Sequence, residues 1–353
     1  MWKRRISLAL LGLLGALVLL EGIVRLRQYR RYGTTLTTYY ELAHDERSGL
    51  MIPRPLSVTG PIRVNSLGFR GEEIAQPKPV GRVRVAFLGG STTFCAEASS
   101  LETTWPHQVV EALRRATPGV EFDYVNGGAA AYSTEQSLLN LAHRVGPLEP
   151  DVVVIYHATN DLVIESRRRA MALGLYRLEE HAPSKLGEHW LSYYLLQKNL
   201  RHLLRRDAND PGHMPFEPEL LEPFRTRLAE LVRAAQARAA VVALVTFATR
   251  LRPEQPPEVQ RAAAASSLGY MPFFDVPDLL AGYAEANRIV RAVAAETGAL
   301  LIEGEESIPA DGEHFADTVH LRDPGLALQA ERVADGLLTS PRLEELVELA
   351  RSR

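Results

Sequence analysis

The chain of 353 residues has a single cysteine, Cys95. No intramolecular disulfide can form, and no cysteine cluster offers a structural zinc site, so packing must hold the fold. An excess of one charge is also missing. Lys and Arg number 40 against 43 Asp and Glu, a formal net charge of −3. No bulk field draws the chain to nucleic acid. There is no internal repeat and no long low-complexity tract. The alanine run Ala262–Ala265 is too short to count. Two common site motifs are absent as well. No Gly-Lys-Ser/Thr follows the Gly-Gly-Ser at 89–91, which excludes a Walker loop, and Thr93 breaks the G-x-S-x-G elbow.

Long apolar runs are scarce, with one exception. Lys3, Arg4 and Arg5 precede the run Ile6 to Leu20; Glu21 interrupts it, and Gly22, Ile23 and Val24 extend it. About 20 helical residues cross a bilayer core. No small-residue cleavage site follows the run and no lipoprotein cysteine is present, so it is expected to be an uncleaved single-pass anchor. Arg25, Arg27, Arg30 and Arg31 on its far side nearly balance the first basic cluster. The main domain is expected outside the cytoplasm.

The chain divides into an anchor with basic flanks (1–31), a polar juxtamembrane connector (32–81), a main domain (82–340) and a terminal helix (341–353). Pro53, Pro55, Pro61, Pro77 and Pro79 break any long element in the connector. From Arg82 onward short apolar runs alternate with helical periods. Strands are predicted at Val83–Leu88, Phe122–Val125, Val152–Tyr156, Ala240–Phe247 and Ala299–Ile302. Helices are predicted at Trp105–Ala116 capped by Thr104, Ser133–Val145, Glu217–Ala237, Pro277–Thr297, from a capping Asp323 to Leu338, and from Pro341. Val152–Tyr156 is continuously apolar and rich in β-branched residues, as a strand buried on both faces would be. Strand and helix in alternation give right-handed βαβ units: a three-layer αβα sandwich around a parallel sheet. Such sheets bind ligands beyond the carboxyl ends of their strands.

The residues at those ends carry chemistry. After the first strand comes Gly89-Gly90-Ser91, where two glycines allow a sharp turn and a serine opens a helix. After the second comes the small-residue loop Asn126 to Tyr132. After the third comes His157-Ala158-Thr159-Asn160-Asp161. Asn160 offers an amide donor to the crevice, whereas His157 reads as a satisfied core histidine and Asp161 as a turn cap. Late in the chain, Asp317 stands three residues before His320, a spacing that lets a carboxylate fix an imidazole's tautomer. His314, Asp317 and His320 also have metal-compatible spacing, but no acidic or histidine cluster at another strand end completes a shell.

Taken in order, these blocks resemble the SGNH (GDSL-type) hydrolases over roughly Arg82 to Leu338. Gly89-Gly90-Ser91 stands in the place of the family's Gly-Asp-Ser. Ala131 matches its oxyanion glycine, Ala158-Thr159-Asn160-Asp161 its Gly-x-Asn-Asp, and Asp317 with His320 its Asp-x-x-His. Leu88 to Thr93 and the upstream Asn65 to Gly71 are similar to segments of membrane-anchored members. The resemblance implies a serine esterase needing no metal or organic cofactor. Its catalytic residues would be Ser91, His320 and Asp317, and its oxyanion hole the Ser91 and Ala131 N–H groups with the Asn160 amide. Three departures stand out: Gly90 for the acidic residue, Ala158 for a glycine, and Ala131, whose N–H is aimed correctly only if its backbone tolerates a Cβ.

The expected substrate is a small-molecule or glycan carboxylic ester, an acylated envelope glycan or lipid among the candidates. An acyltransferase with the same residues, or a non-catalytic envelope protein on this scaffold, remains open at this point. Residues 162–216 and 251–274 exceed ordinary loops and are expected to wall the cleft. Arg167, Arg168 and Arg169 read as a solvated face, with an anionic ligand as the alternative. The aromatic and basic stretch Trp190–Arg206 reads as a packed helix, with the membrane surface as the alternative.

Overall fold

Apolar side chains on every face of a helix find no packing partner in water. Those of α1 (Trp2–Tyr32) lie open, in a computed structural model that describes residues 2–32, 40–177, 190–197, 200 and 212–352. Within α1, Leu8–Tyr29 is 22 residues with mean hydropathy 2.1, long and apolar enough to cross a membrane. Glu21, the charge that interrupts the run, is not left bare. Its carboxylate accepts the N–H groups of Leu191 (2.9 Å) and Ser192 (2.8 Å), the Ser192 hydroxyl (2.6 Å) and Arg25 Nε (2.6 Å). It therefore caps the helical turn 191–197 from another element.

The stretch read as a connector carries two antiparallel hairpins, β1 (Leu42–Asp45) with β2 (Leu50–Pro53) and β3 (Val58–Thr59) with β4 (Ile62–Arg63). Its prolines end strands and make turns. Pro53 closes β2, and Gly60-Pro61 forms the tip between β3 and β4. Leu50 and Ile52 pack on Ala129 and Tyr132, while Tyr40, Ile62 and Val64 pack on Phe94. The Asn65–Gly71 segment then folds around one side chain. Asn65 Oδ1 accepts the N–H groups of Leu67 and Phe69, both at 3.0 Å, and Nδ2 donates to Glu72 O.

The main sheet comprises β5 (Arg82–Gly89), β6 (Glu121–Asn126), β7 (Val152–Tyr156), β8 (Val241–Val245) and β9 (Leu300–Ile302), all parallel, in the order β6-β5-β7-β8-β9. β7 and β8 are buried throughout, as their apolar runs require. Between the strands run α2 (Ser91–Phe94), α3 (Trp105–Ala116), α4 (Thr134–Asn140), α5 (Thr159–Ala172), α6 (Glu222–Gln236), α7 (Pro257–Tyr270) and α8 (Val276–Thr297), followed by α9 (Asp323–Leu338) and α10 (Pro341–Arg351). α3 and α9 pack together on one face, with α10 against β5. α4, α6 and α8 cover the other. The result is the three-layer αβα sandwich expected, preceded by one apolar helix. Because β6 and β7 flank β5 on opposite sides, the chain reverses direction across the sheet between β5 and β7, and a crevice opens beyond their carboxyl ends.

Several boundaries differ from the sequence reading. The helix expected over Ser133–Val145 stops at Asn140 and continues as a wider π turn, Leu141–Val145, then a 3₁₀ turn. Thr104 precedes α3 but spends its hydroxyl on Leu101 O rather than on the helix. Asp323 is the first residue of α9, not its cap, and accepts the Ser99 N–H at 3.0 Å. Within the two long segments, α5 fills the start of 162–216 and α7 much of 251–274. Lys198, Arg201, Arg205 and Arg206 lie outside the described residues. The three arginines after Asn160 are engaged: Arg167 Nε donates to Tyr270 O at 2.9 Å, Arg168 pairs with Glu165, and Arg169 lies 4.0 Å from Glu217.

Candidate active site

The turn after β5 is built so tightly that its glycines admit no side chain. A Cβ on Gly89 would meet Thr93 Oγ1 at 2.0 Å and Tyr156 O at 2.8 Å; one on Gly90 would meet Asn160 Nδ2 at 2.5 Å. Ser91 follows as the first residue of α2 and is half-buried. Its N–H, like the first donors of any helix, has no acceptor within the helix. α2 ends at Cys95, which adopts a left-handed φ of 60° and is itself buried. Arg70, delivered by the Asn65 turn, is fully buried and donates to Phe94 O (2.9 Å) and Cys95 O. A guanidinium thus satisfies the carbonyl end of the short helix that begins with Ser91.

Beyond β6, Asn126 anchors the loop to α2. Its Nδ2 donates to Thr93 O (3.0 Å) and its Oδ1 accepts the Gly128 N–H (3.0 Å). Gly128 permits that approach, since a Cβ there would lie 2.6 Å from Phe94 N. Ala131, at the exposed crest, has φ +62°. That left-handed conformation suits glycine, so the alanine is held there against its own preference. Among the described residues its N–H meets no protein acceptor.

Asn160, in the first turn of α5, directs Nδ2 to Tyr132 O at 2.8 Å, and among the described residues its second amide hydrogen meets no acceptor. Asp161, expected to cap its own turn, instead reaches across to another helix. Fully buried, it accepts the Thr134 hydroxyl (2.6 Å) and N–H (3.2 Å), and so locks the start of α4 to the start of α5. Burial raises its pKa to about 6, against the lowering effect of the Thr134 bonds. His157 is a core residue as expected, with its Nε2 2.7 Å from Ser137 Oγ and a pKa lowered by burial to about 3.

The loop before α9 closes the site. His320 Nε2 lies 2.8 Å from Ser91 Oγ, and His320 Nδ1 lies 2.7 Å from Asp317 Oδ2. Asp317 Oδ1 also accepts the N–H groups of Val319 and His320, both at 2.9 Å. This assigns the ring proton to Nδ1 and leaves Nε2 to accept from the hydroxyl. Helix α7 holds the loop through Thr318, whose hydroxyl donates to Ala263 O (2.6 Å) while its N–H donates to Ser266 Oγ (3.1 Å). His314 does not join the pair: its Nδ1 bonds Asp311 Oδ1 at 2.8 Å, so the 314–317–320 spacing gathers no ligand set.

Burial, the strongest influence on His320, would lower its pKa. The Asp317 hydrogen bond and the charges of Glu97 and Asp317 overcome that and raise it to about 9. Asp317 moves the other way: burial opposes ionisation, but the His320 bond and charge bring it below its ordinary value. Glu97 was not foreseen from sequence. It sits in the turn after α2, and its own pKa is raised, by burial first, with His320 opposing. Tyr283 was not foreseen either; it links Thr159 Oγ1 (3.1 Å) to Ser267 Oγ (2.9 Å), bridging α5 and α7.

Residues 87–328 match the profile of the GDSL-like lipase/acylhydrolase family. No curated protein matches the chain. Solved structures similar to it include an acetylxylan esterase from Geobacillus stearothermophilus, at 16% identity over 72% of this chain and 93% of that one, with a TM-score of 0.43. Another is an α/β hydrolase enzyme from the metagenome of Lake Arreo, Spain, at 15% identity over 73% and 94%, also with a TM-score of 0.43.

Proposed function

The chain belongs to the GDSL-like lipase/acylhydrolase family, and from that premise we propose that it hydrolyses a carboxylic ester with Ser91 as nucleophile, His320 as base and Asp317 as the residue that orients the base. The observation carrying this reading is the unbroken relay from Ser91 Oγ through His320 to Asp317, with links of 2.8 and 2.7 Å. Ser91 Oγ attacks the ester carbonyl as Nε2 takes its proton, and the imidazolium then protonates the leaving alcohol. The tetrahedral oxyanion is received by the N–H groups of Ser91 and Ala131 and the spare Asn160 amide hydrogen. Water, deprotonated by His320, then releases the acid from the acyl-enzyme. None of these steps calls on a metal or organic cofactor. The substrate class is a small-molecule or glycan ester, with deacylation of an envelope glycan or lipid as the specific proposal. Transfer of the acyl group to a sugar hydroxyl in place of water is distinguished by product analysis with and without an acceptor.

We also read α1 as a single-pass anchor with the catalytic domain outside the cytoplasm, supported by the open apolar surface of Leu8–Tyr29. The deciding experiment is hydrolysis of short p-nitrophenyl esters by purified protein without added metal, together with active-site labelling by a fluorophosphonate. Wild type should turn over and label, and Ser91→Ala should do neither. Activity abolished by a chelator and restored by zinc would refute the reading.

A further inference from the structure

Tyr40 lies in the stretch that the sequence presents as a connector, yet it is 6% exposed. Its ring stacks on Phe94 with centroids 4.1 Å apart and planes 28° from parallel. Phe94 closes the four-residue helix that starts at Ser91. The Tyr40 hydroxyl oxygen accepts the N–H of Ala130 at 2.8 Å. One side chain thus touches both the nucleophile helix and the loop that presents Ala131.

That loop needs an external hold. Ala130 and Ala131 are exposed, so the crest has no packing of its own, and the φ of +62° at Ala131 is one that an alanine leaves readily. The flanks are fixed by Leu50 and Ile52 against Ala129 and Tyr132, and by the Tyr132 hydroxyl donating to Met51 O at 2.9 Å. Among the described residues, only the Tyr40 hydroxyl holds the crest itself. Burial raises the Tyr40 pKa, which keeps this hydroxyl neutral across the working range.

We propose that Tyr40 is a positioning residue of the active site: by holding the Ala130 N–H it aims the adjoining Ala131 N–H at the oxyanion. The proposal rests on the reading of Ala131 as an oxyanion donor. It extends the competent unit upstream of residue 82, so that the chain emerging from the anchor helix supplies part of the site.

The test uses the full-length protein in detergent. Tyr40→Phe removes the hydroxyl and keeps the stack on Phe94. kcat should fall about 10- to 100-fold with KM within about twofold of wild type, less than the loss of a whole donor. Thermal stability and the pH midpoint of kcat/KM should hold. Unchanged kcat in Tyr40→Phe, while Asn160→Ala is impaired, would overturn the proposal and leave the esterase reading standing. Full activity in Ser91→Ala would instead remove the reading beneath it. A parallel fall in melting temperature and kcat would mark a purely structural role and also overturn the proposal. Hydrogen exchange of the wild-type protein gives an independent check. The Ala130 amide should exchange slowly despite its exposed loop, and fast exchange there would be incompatible with the hold.

Discussion

Gly90 and Asn160 approach so closely that a Cβ on the glycine would stand 2.5 Å from the amide nitrogen. Gly90 therefore leaves the space in which the Asn160 amide reaches Tyr132 O. Asn160→Ala should lower kcat roughly 10²–10³-fold with KM little changed. Gly90→Ala should push the amide aside and reproduce part of that loss with Asn160 still present. Steady-state kinetics on both variants checks this; a Gly90→Ala enzyme with wild-type kcat would refute the packing argument.

The pH profile follows from His320. Only the neutral imidazole accepts the serine proton, and its pKa stands at about 9. kcat/KM should therefore rise with pH and level off above about 9. Glu97→Gln removes one of the charges that raises it and should move the midpoint to lower pH. The same shift bears on stability with the opposite sign. A histidine raised from 6.5 stabilises the fold fully below about pH 6.5, and the benefit fades as pH climbs through about 9. Thermal melts across that window provide the measurement.

Ser91→Ala and His320→Ala should each abolish nearly all turnover, since nucleophile and base act as a unit; in serine hydrolases the loss is about 10⁶-fold in kcat. Asp317→Asn should cost less, because it orients the base without exchanging a proton. His314→Ala should be almost silent, its ring being spent on Asp311. A dead His314→Ala beside an active His320→Ala would reverse the assignment.

At Ala131 the left-handed backbone is already adopted. Ala131→Gly should relieve about 1 kcal/mol of strain, partly offset by the freer unfolded chain, and leave kcat within about twofold. Ala131→Val should destabilise the protein and lower kcat, because a β-branched residue fits that region worst. Melting temperatures with matched kinetics decide it.

Full-length protein should sediment with membranes and retain its N-terminus; a mature form beginning after Glu21 would disprove an anchor. Glu21→Ala should uncap the turn at 191–197, costing about 1 kcal/mol locally, and speed proteolysis there without changing kcat.

Much of the sheet was legible because its three central strands, β5, β7 and β8, are buried on both faces. Val152–Tyr156 is the clearest case, with boundaries matching β7. Trp105–Ala116 was equally plain, since Pro106 sits in its first turn and charged residues close it. The end of α4 was not, because Leu141 and Val145 face the core at a spacing that an α or a π turn serves alike. In the supposed connector the prolines masked a signal that was present: Leu50, Ile52, Ile62 and Val64 alternate with exposed neighbours, as half-buried strands do. At the site, strand ends pointed to Ser91 and Asn160, and the Asp-x-x-His spacing late in the chain pointed to Asp317 and His320. Glu97 and Tyr40 gave no local sign, for their roles arise only when separate segments close on the β5 turn.

The hydrogen bond between Ser91 and His320 spans 229 positions of the chain. All five strands of the sheet lie before Glu303, and His320 lies after it. During synthesis from the N-terminus, the serine and every strand leave the ribosome before the imidazole that would activate the hydroxyl. On the proposed reading, a nascent chain that has not yet exposed His320 lacks the base of the relay, and its serine stays unreactive until the segment beyond the last strand has emerged. Chains stalled before Asp317 should take up no fluorophosphonate, and those released at full length should.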